Sequence, residues 1–154
     1  MTHSYTVANE FIRLSLEDGN PLTNMQIQKL VYFAHIIYAV KHDGNRLIAE
    51  DWFAWTFGPV EKNLYESLRT YGPSPVTVPI EPISRNKGDH LAEKEKDVIR
   101  KVYKGYGKYT AFQLSELTHL KGGPWYKTWF GHGKFQVIPH QLIYDFYSSK
   151  LKSA

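Results

Sequence analysis

Seven histidines, fifteen carboxylates and no cysteine set the chemistry open to this 154-residue chain. Thiolate catalysis, a thiolate metal site and a disulfide are excluded, since each needs sulfur as nucleophile or ligand. Zinc hydrolases place two histidines at i and i+4 on one helix with a glutamate between them, and no His-Glu-x-x-His occurs here. His35 and His42 share a helical face, but seven residues at about 1.5 Å each set them about 10 Å apart, too far for one ion. His119, His132 and His140 fall in different elements. A site assembled from His119, His132 and an acid is therefore the one enzyme-like arrangement left open. Gly131-His132-Gly133-Lys134 ends in Gly-Lys, but a phosphate-cradling P-loop needs Gly at 128 and Ser or Thr at 135, where this chain has Thr128 and Phe135. Neither a dinucleotide glycine fingerprint nor a Gly-x-Ser-x-Gly elbow is found. Glu17-Asp18 and Glu50-Asp51 are sequence neighbours whose side chains diverge on a helix or strand, so they read as solvated turn residues and not as an acid–base dyad. With no catalytic constellation and no cofactor expected, the chain reads as a binding protein.

Composition narrows the partner. Aromatic residues make up 15% of the chain, with eleven Tyr, eight Phe and four Trp, residues that suit cores and interfaces alike. Net charge is +4, divided as −2 over residues 1–70 and +6 over residues 71–154. That asymmetry would steer an acidic partner, either nucleic acid or an acidic protein surface, although a solvated lysine-rich surface is the simpler explanation. The longest apolar stretch, residues 30–40, is interrupted by His35 and is half the length of a membrane span. With no signal-peptide pattern at residues 1–5 and no cysteine, a cytoplasmic location without a membrane partner is expected.

The elements that would position any site are mostly helical. Ala8, Phe11, Ile12 and Ser15 share a helical face over residues 7–16, and Asp18-Gly19-Asn20-Pro21 stops that helix. Thr23 and Gln26 form a capping box for a second helix, in which Ile27, Leu30, Val31, Ala34, Ile37 and Tyr38 make an apolar stripe running to Lys41-His42. This is expected to be the central helix, with Lys29 and Tyr32 at its edges. Residues 47–57 are short, aromatic and bounded by turn residues, hence a strand or extended segment. Gly58-Pro59 then sets a strand-to-helix corner, with a helix from Val60 to about Gly72. Pro73, Pro75, Pro79 and Pro82 mark an irregular connection. Within it Val76, Val78 and Ile80 alternate as a short edge strand expected to pair with the aromatic segment, and residues 85–89 form a polar loop. A fourth helix over residues 89–106, a fifth capped by Thr110 and Gln113, a turn near Trp125, which is expected to plug the core, and a last helix after Pro139 complete the chain. The expectation is a mainly α, compact single domain over residues 1–154, its core spanning about 5–151, with five to six helices and a small β-ribbon or strand element.

Residues 98–119 also have the outline of a helix-turn-helix. The would-be recognition helix offers Gln113, Ser115, Glu116, Thr118 and His119 but no Arg or Lys before Lys121, which favours plain helical-hairpin packing.

Four stretches together resemble the Panacea antitoxin domain family, also called SocA-like and found in phage-associated proteins. Gln26-Ile27-Gln28-Lys29-Leu30-Val31-Tyr32-Phe33-Ala34 is similar to its "LQKLLYFA" helix. Phe53-Ala54-Trp55 followed by Gly58-Pro59-Val60 resembles "EAW-x-x-GPV", with Leu64-Tyr65 and Tyr71-Gly72 following in order. Leu114-Ser115-x-Leu117-Thr118-His119 and Pro124-Trp125 resemble its C-terminal block. The likeness covers about residues 22–147. Asp51-Trp52-Phe53 departs from it, standing where the family often has Glu or an aliphatic before Ala-Trp. The resemblance implies an antitoxin that neutralises a co-encoded protein toxin by direct contact, with delivery of the toxin to the ClpXP protease as a variant of that role. A DNA-binding regulator using the basic C-terminal half is the alternative. On this reading Trp55, Phe57 and Tyr65, with the edge Val76, Val78 and Ile80, are expected to include an exposed patch that docks the partner, the competing reading being that they are buried.

Overall fold

The computed structural model describes residues 1–81 and 90–152, so Pro82 and the polar loop at 85–89 lie outside the described residues. Seven helices are present among them: α1 (Ser4–Glu17), α2 (Asn24–Lys41), α3 (Lys62–Leu68), α4 (Glu93–Tyr106), α5 (Ala111–Thr118), α6 (Pro124–Lys127) and α7 (His140–Lys152). Three strands, β1 (Trp52–Trp55), β2 (Gly58–Val60) and β3 (Val137–Ile138), form an antiparallel sheet in the order β2-β1-β3. The fold is mainly α, as expected. The helix count exceeds the expected five to six because the turn near Trp125 is a short helix of its own, running into a π-helical turn at Thr128–His132.

The capping box at the head of α2 forms as its sequence dictates: Gln26 N–H donates to Thr23 Oγ1 at 3.3 Å and Thr23 N–H to Gln26 Oε1 at 2.9 Å. The helix is more deeply buried than a one-sided stripe implies, with thirteen of its eighteen residues inside, because α1, α4, α5, α7, α3 and β2 all pack on it. Lys29 and Tyr32, expected at its edges, are therefore fully buried. The α1 face is the one expected, burying Val7, Ala8, Phe11, Ile12 and Ser15. That helix starts three residues early, because Glu50 reaches its first turn. Ser4 N–H donates to Glu50 Oε1 at 2.9 Å, and His3 Nδ1 lies 3.1 Å from Oε2. A carboxylate is stabilising there against the unpaired amides of a helix N-terminus.

At the far end of α2, buried His35 accepts from Ile48 N–H at Nδ1 (3.4 Å), which leaves its Nε2 proton for His140 Nδ1 at 3.0 Å. His140 Nε2 then donates to Gly44 O at 2.7 Å. This relay seats α7 on α2. Burial first, and the neighbouring His140 and Arg46 after it, hold His35 well below the ordinary imidazole range, so the ring is neutral.

The β element departs from expectation in two places. Gly58-Pro59 is not a corner into a helix but the second arm of a hairpin: Trp55 pairs with Gly58 and Phe53 with Val60 across the two-residue turn Thr56-Phe57. The next helix begins only at Lys62, where Glu61 caps it by accepting from Asn63 N–H (3.2 Å) and Leu64 N–H (2.6 Å). The second departure is that Val76, Val78 and Ile80 do not pair with the aromatic segment. β3 takes that place. Val76 N–H instead donates to Leu22 O at 2.7 Å, and Ile80 exchanges two bonds with the Asn9 side chain. Pro75 and Pro79 remove the donors that a continuous ladder would need.

Candidate functional site

One short segment collects side chains from three helices and from the residue that follows α5. Trp125 Nε1 donates to Trp55 O (2.7 Å), Ser115 Oγ donates to Phe57 O (2.7 Å), and His119 Nε2 lies 3.4 Å from Thr56 O. Lys29 Nζ donates to Pro59 O (2.9 Å), while the Gln28 amide donates to Glu61 O (3.3 Å) and accepts from Glu61 N–H (3.0 Å). The carbonyls of Trp55, Phe57, Pro59 and Glu61 are thus each met by a side chain from α2, α5 or α6, while His119, its Nδ1 2.6 Å from Ser115 O, packs beside Thr56. The outer edge of β2, which would otherwise present unpaired backbone, is covered by Gln28 and Lys29 standing in for a strand. These are the very stretches that carry the family resemblance, so their spacing along the sequence reflects convergence on one hairpin.

Two of the anchoring groups are ionisable and buried. Lys29 sits wholly inside with a carbonyl partner, and burial brings its ammonium down to about 7. Burial also raises the Glu61 carboxyl, against the hydrogen bonds from Leu64, Ser4 and Asn63 that favour the carboxylate. Glu61 is both the α3 cap and, through Ser4 Oγ at 3.0 Å, the tie between the hairpin and α1. Glu61→Ala is expected to cost about 2 kcal/mol in urea unfolding, the sum of a lost cap and an orphaned buried hydroxyl. A loss within experimental error would show that Ser4 and the amides are satisfied without it.

What the anchored hairpin presents is apolar. Phe57 is 64% exposed, and behind it Trp55, Tyr65, Met25, Val60 and Phe135 line a groove of about 480 Å³. Trp55 meets Tyr65 edge-on with ring centroids 5.1 Å apart and Phe135 at 6.4 Å, and Phe135 in turn meets Trp129 at 5.5 Å. Phe135 is 54% exposed and has φ of +65°, a left-handed conformation that costs a bulky residue about 1 kcal/mol. It is held there by its own N–H donating to Ala54 O at 2.8 Å and by Ala54 N–H donating to Gln136 O at 2.9 Å.

The structure divides the six residues expected at a docking patch. Trp55, Phe57 and Tyr65 come together at the groove. Val76 is 0% exposed and belongs to the core, so its side chain is not at the surface. Val78 and Ile80 line a separate hollow with Glu66, Ser67 and Tyr71. Sequence reading missed Asn24, Met25, Arg69 and Phe135. Phe135 gave a faint signal as an aromatic residue just after Gly131-His132-Gly133, since glycines often flank a backbone that must turn sharply. The histidines do not gather: His119 packs on Trp125 with ring centroids 4.0 Å apart, His140 joins His35, and among the described residues no three His, Asp or Glu side chains are placed to hold a metal ion.

Of the candidate donors in the helix-turn-helix outline, Gln113 is engaged in its own capping box, Ser115 in the hairpin, and Thr118 is buried. The exposed face of α5 therefore offers Phe112, Gln113 and Glu116, of which the Gln113 amide alone can donate to a base or phosphate, and it carries no cation. No helix among the described residues is long and apolar enough to cross a membrane.

Fold and site define a mainly helical protein in which one hairpin is fixed from several sides and an apolar surface is left beside it. Residues 27–126 match the family described as antitoxin SocA-like, Panacea domain, and the chain belongs to that family. Over 126 residues it is 32% identical to the antitoxin SocA of Caulobacter vibrioides (strain NA1000 / CB15N), the match covering 77% of this chain. It spans 66% of that curated relative's length, just under two thirds. No solved structure matches the chain.

Proposed function

We propose that the chain is a non-catalytic antitoxin that neutralises a co-encoded protein toxin by binding it, with the hairpin and its groove as the contact surface. The observation that carries this reading is the contrast at Phe57: its carbonyl is fixed by Ser115 while its ring stands in solvent. A large aromatic presented on a backbone that cannot relax loses little entropy on binding, which is the economy of an interface anchor. Family membership and the antitoxin name of the 32% identical relative support the role. A DNA-binding role draws less support, because α5 carries no Arg or Lys and its Ser115 hydroxyl is engaged at Phe57 O.

The test is co-expression with the adjacent open reading frame. Growth arrest by the neighbour alone, rescue by this chain and recovery of a stable complex are the expected results. Phe57→Asp, at an exposed position, should abolish rescue while leaving the free energy of unfolding within about 0.5 kcal/mol of wild type. Repeating the rescue in a host lacking ClpX separates occlusion, which persists, from delivery to the protease, which fails. Full rescue by Phe57→Asp would remove the hairpin from the interface.

A further inference from the structure

Resting on that antitoxin reading, we propose that the groove receives an acidic segment of the partner protein, one that inserts a single large apolar side chain between Trp55, Tyr65 and Phe135 and sets a neighbouring Asp or Glu against Arg69. Three observations point to this occupant and not to a merely greasy one.

The first is an orphan acceptor. Asn24, 7% exposed, forms part of the groove wall, and its Oδ1 has no partner. Its amide nitrogen faces Tyr65 O at 3.5 Å, and since a carbonyl can only accept, the nitrogen belongs on that side and the oxygen is left over. A buried acceptor without a donor is unfavourable, and an incoming N–H would relieve it.

The second is charge. The groove wall contains no Asp or Glu and one cation, Arg69, which makes a 3.6 Å contact with Glu66, both side chains being more than half exposed. Such a pair contributes little and is readily exchanged for a partner carboxylate. The third is continuity. From the groove the aromatic surface runs through Phe135 to Trp129, with Lys134 Nζ 5.2 Å from the Trp129 ring centre, and on to exposed Phe130. The sequence between Glu116 and Asp145 holds no acidic residue at all, while Lys121, Lys127 and Lys134 lie within it. An apolar surface with Arg69 in its wall and Lys134 at its margin, and with Glu66 as the acid paired to Arg69, favours acidic segments over basic ones. Nucleic acid fits less well, because one arginine at an aromatic groove cannot follow a row of phosphates.

The probe is a phage-displayed library of random dodecapeptides selected on the purified chain, with the strongest peptide then synthesised and titrated by fluorescence anisotropy. The expected consensus has one Phe, Trp, Leu or Ile with an Asp or Glu within two positions. Arg69→Glu and Phe57→Asp should each weaken the peptide at least about 10-fold, while Val78→Ser, on the separate hollow, changes binding less than about 2-fold. No enrichment, a basic or uncharged consensus, or an Arg69→Glu variant that binds as well as wild type would overturn the proposal. So would an oligothymidine strand that displaces the peptide. A dimer in sedimentation velocity that Phe57→Asp dissolves would assign the groove to a second copy of the chain and overturn it as well. The two readings fail separately. If the wild-type chain rescues no toxin, the antitoxin role falls and the peptide selection still decides the groove. If rescue holds but survives Phe57→Asp combined with Arg69→Glu, the groove assignment falls and the antitoxin role stands.

Discussion

Between pH 7 and pH 9 this protein is expected to gain about 2 kcal/mol of stability, and the gain is expected to vanish in Lys29→Met. Lys29 is wholly buried with Pro59 O as its hydrogen-bond partner, and burial lowers its pKa from 10.5 to about 7. The folded state therefore releases the proton more readily than the unfolded chain. A group of this kind contributes stability that is complete above the unfolded pKa of 10.5 and is lost as pH falls toward 7. Within that window the slope is about 1.4 kcal/mol per pH unit, flattening near the folded pKa. For a chain of this size the rise from pH 7 to 9 corresponds to about 4–8 °C in melting temperature.

Other groups bound the window. Tyr103 and Tyr147 are raised to about 12, both chiefly by burial, so what they contribute is present below pH 10 and lost above it. His35 is depressed, so its contribution is lost as pH falls below about 6.5. Lys29→Met keeps an unbranched apolar stem one atom shorter, removes the titration and orphans Pro59 O. At pH 7 those changes oppose each other, so the slope and not the absolute stability is the readout. A wild type flat from pH 7 to 9, or a slope that survives Lys29→Met, would mean that the ammonium is solvated in the folded state.

Lys29 also shows where sequence reading stops. The capping boxes at Thr23 and Thr110, the α1 face and the core role of Trp125 were legible, because each depends on residues within a turn or two of one another. That α2 is central was legible from its apolar stripe. That Lys29 and Gln28 point inward was not, because their partners are the backbone of residues 59–61, thirty residues away. A lysine on a helix reads as solvated until something across the fold is known to need its proton. Strand pairing failed for the same reason. The alternation at Val76, Val78 and Ile80 is local and visible, whereas the strand that pairs with β1 on the side away from β2 is two residues long and more than eighty positions downstream. Of the site, Trp55, Phe57 and Tyr65 were legible as aromatics near a turn. Phe135 and Arg69 enter only through the tertiary fold.

Gly58→Ala is expected to be the most destabilising single-methyl change in the hairpin, at about 4 kcal/mol, and its effect divides into two parts that can be measured apart. Gly58 has φ of +116°, a backbone state that L side chains rarely adopt, costing about 1–3 kcal/mol. A methyl there would also stand 2.6 Å from Thr118 Oγ1 and 3.1 Å from Lys29 Cε. Neither neighbour yields easily: Thr118 Oγ1 donates to Ser115 O at 2.6 Å, and Lys29 is fixed on Pro59. Overpacking of that kind adds about 1–3 kcal/mol. Gly72→Ala supplies the reference, since Gly72 also has positive φ, +56°, but an added methyl there meets nothing within 4 Å. It should cost the strain alone, about 1–2 kcal/mol. In a Thr118→Ala background the cost of Gly58→Ala should fall by about 1 kcal/mol, a coupling that a double-mutant cycle reads directly. Equal losses for the two glycine variants, with no coupling to Thr118, would show that the hairpin relaxes away from α5. That outcome would also weaken the functional reading, since an anchor at Phe57 depends on a turn that stays where Ser115, Thr118 and Lys29 hold it.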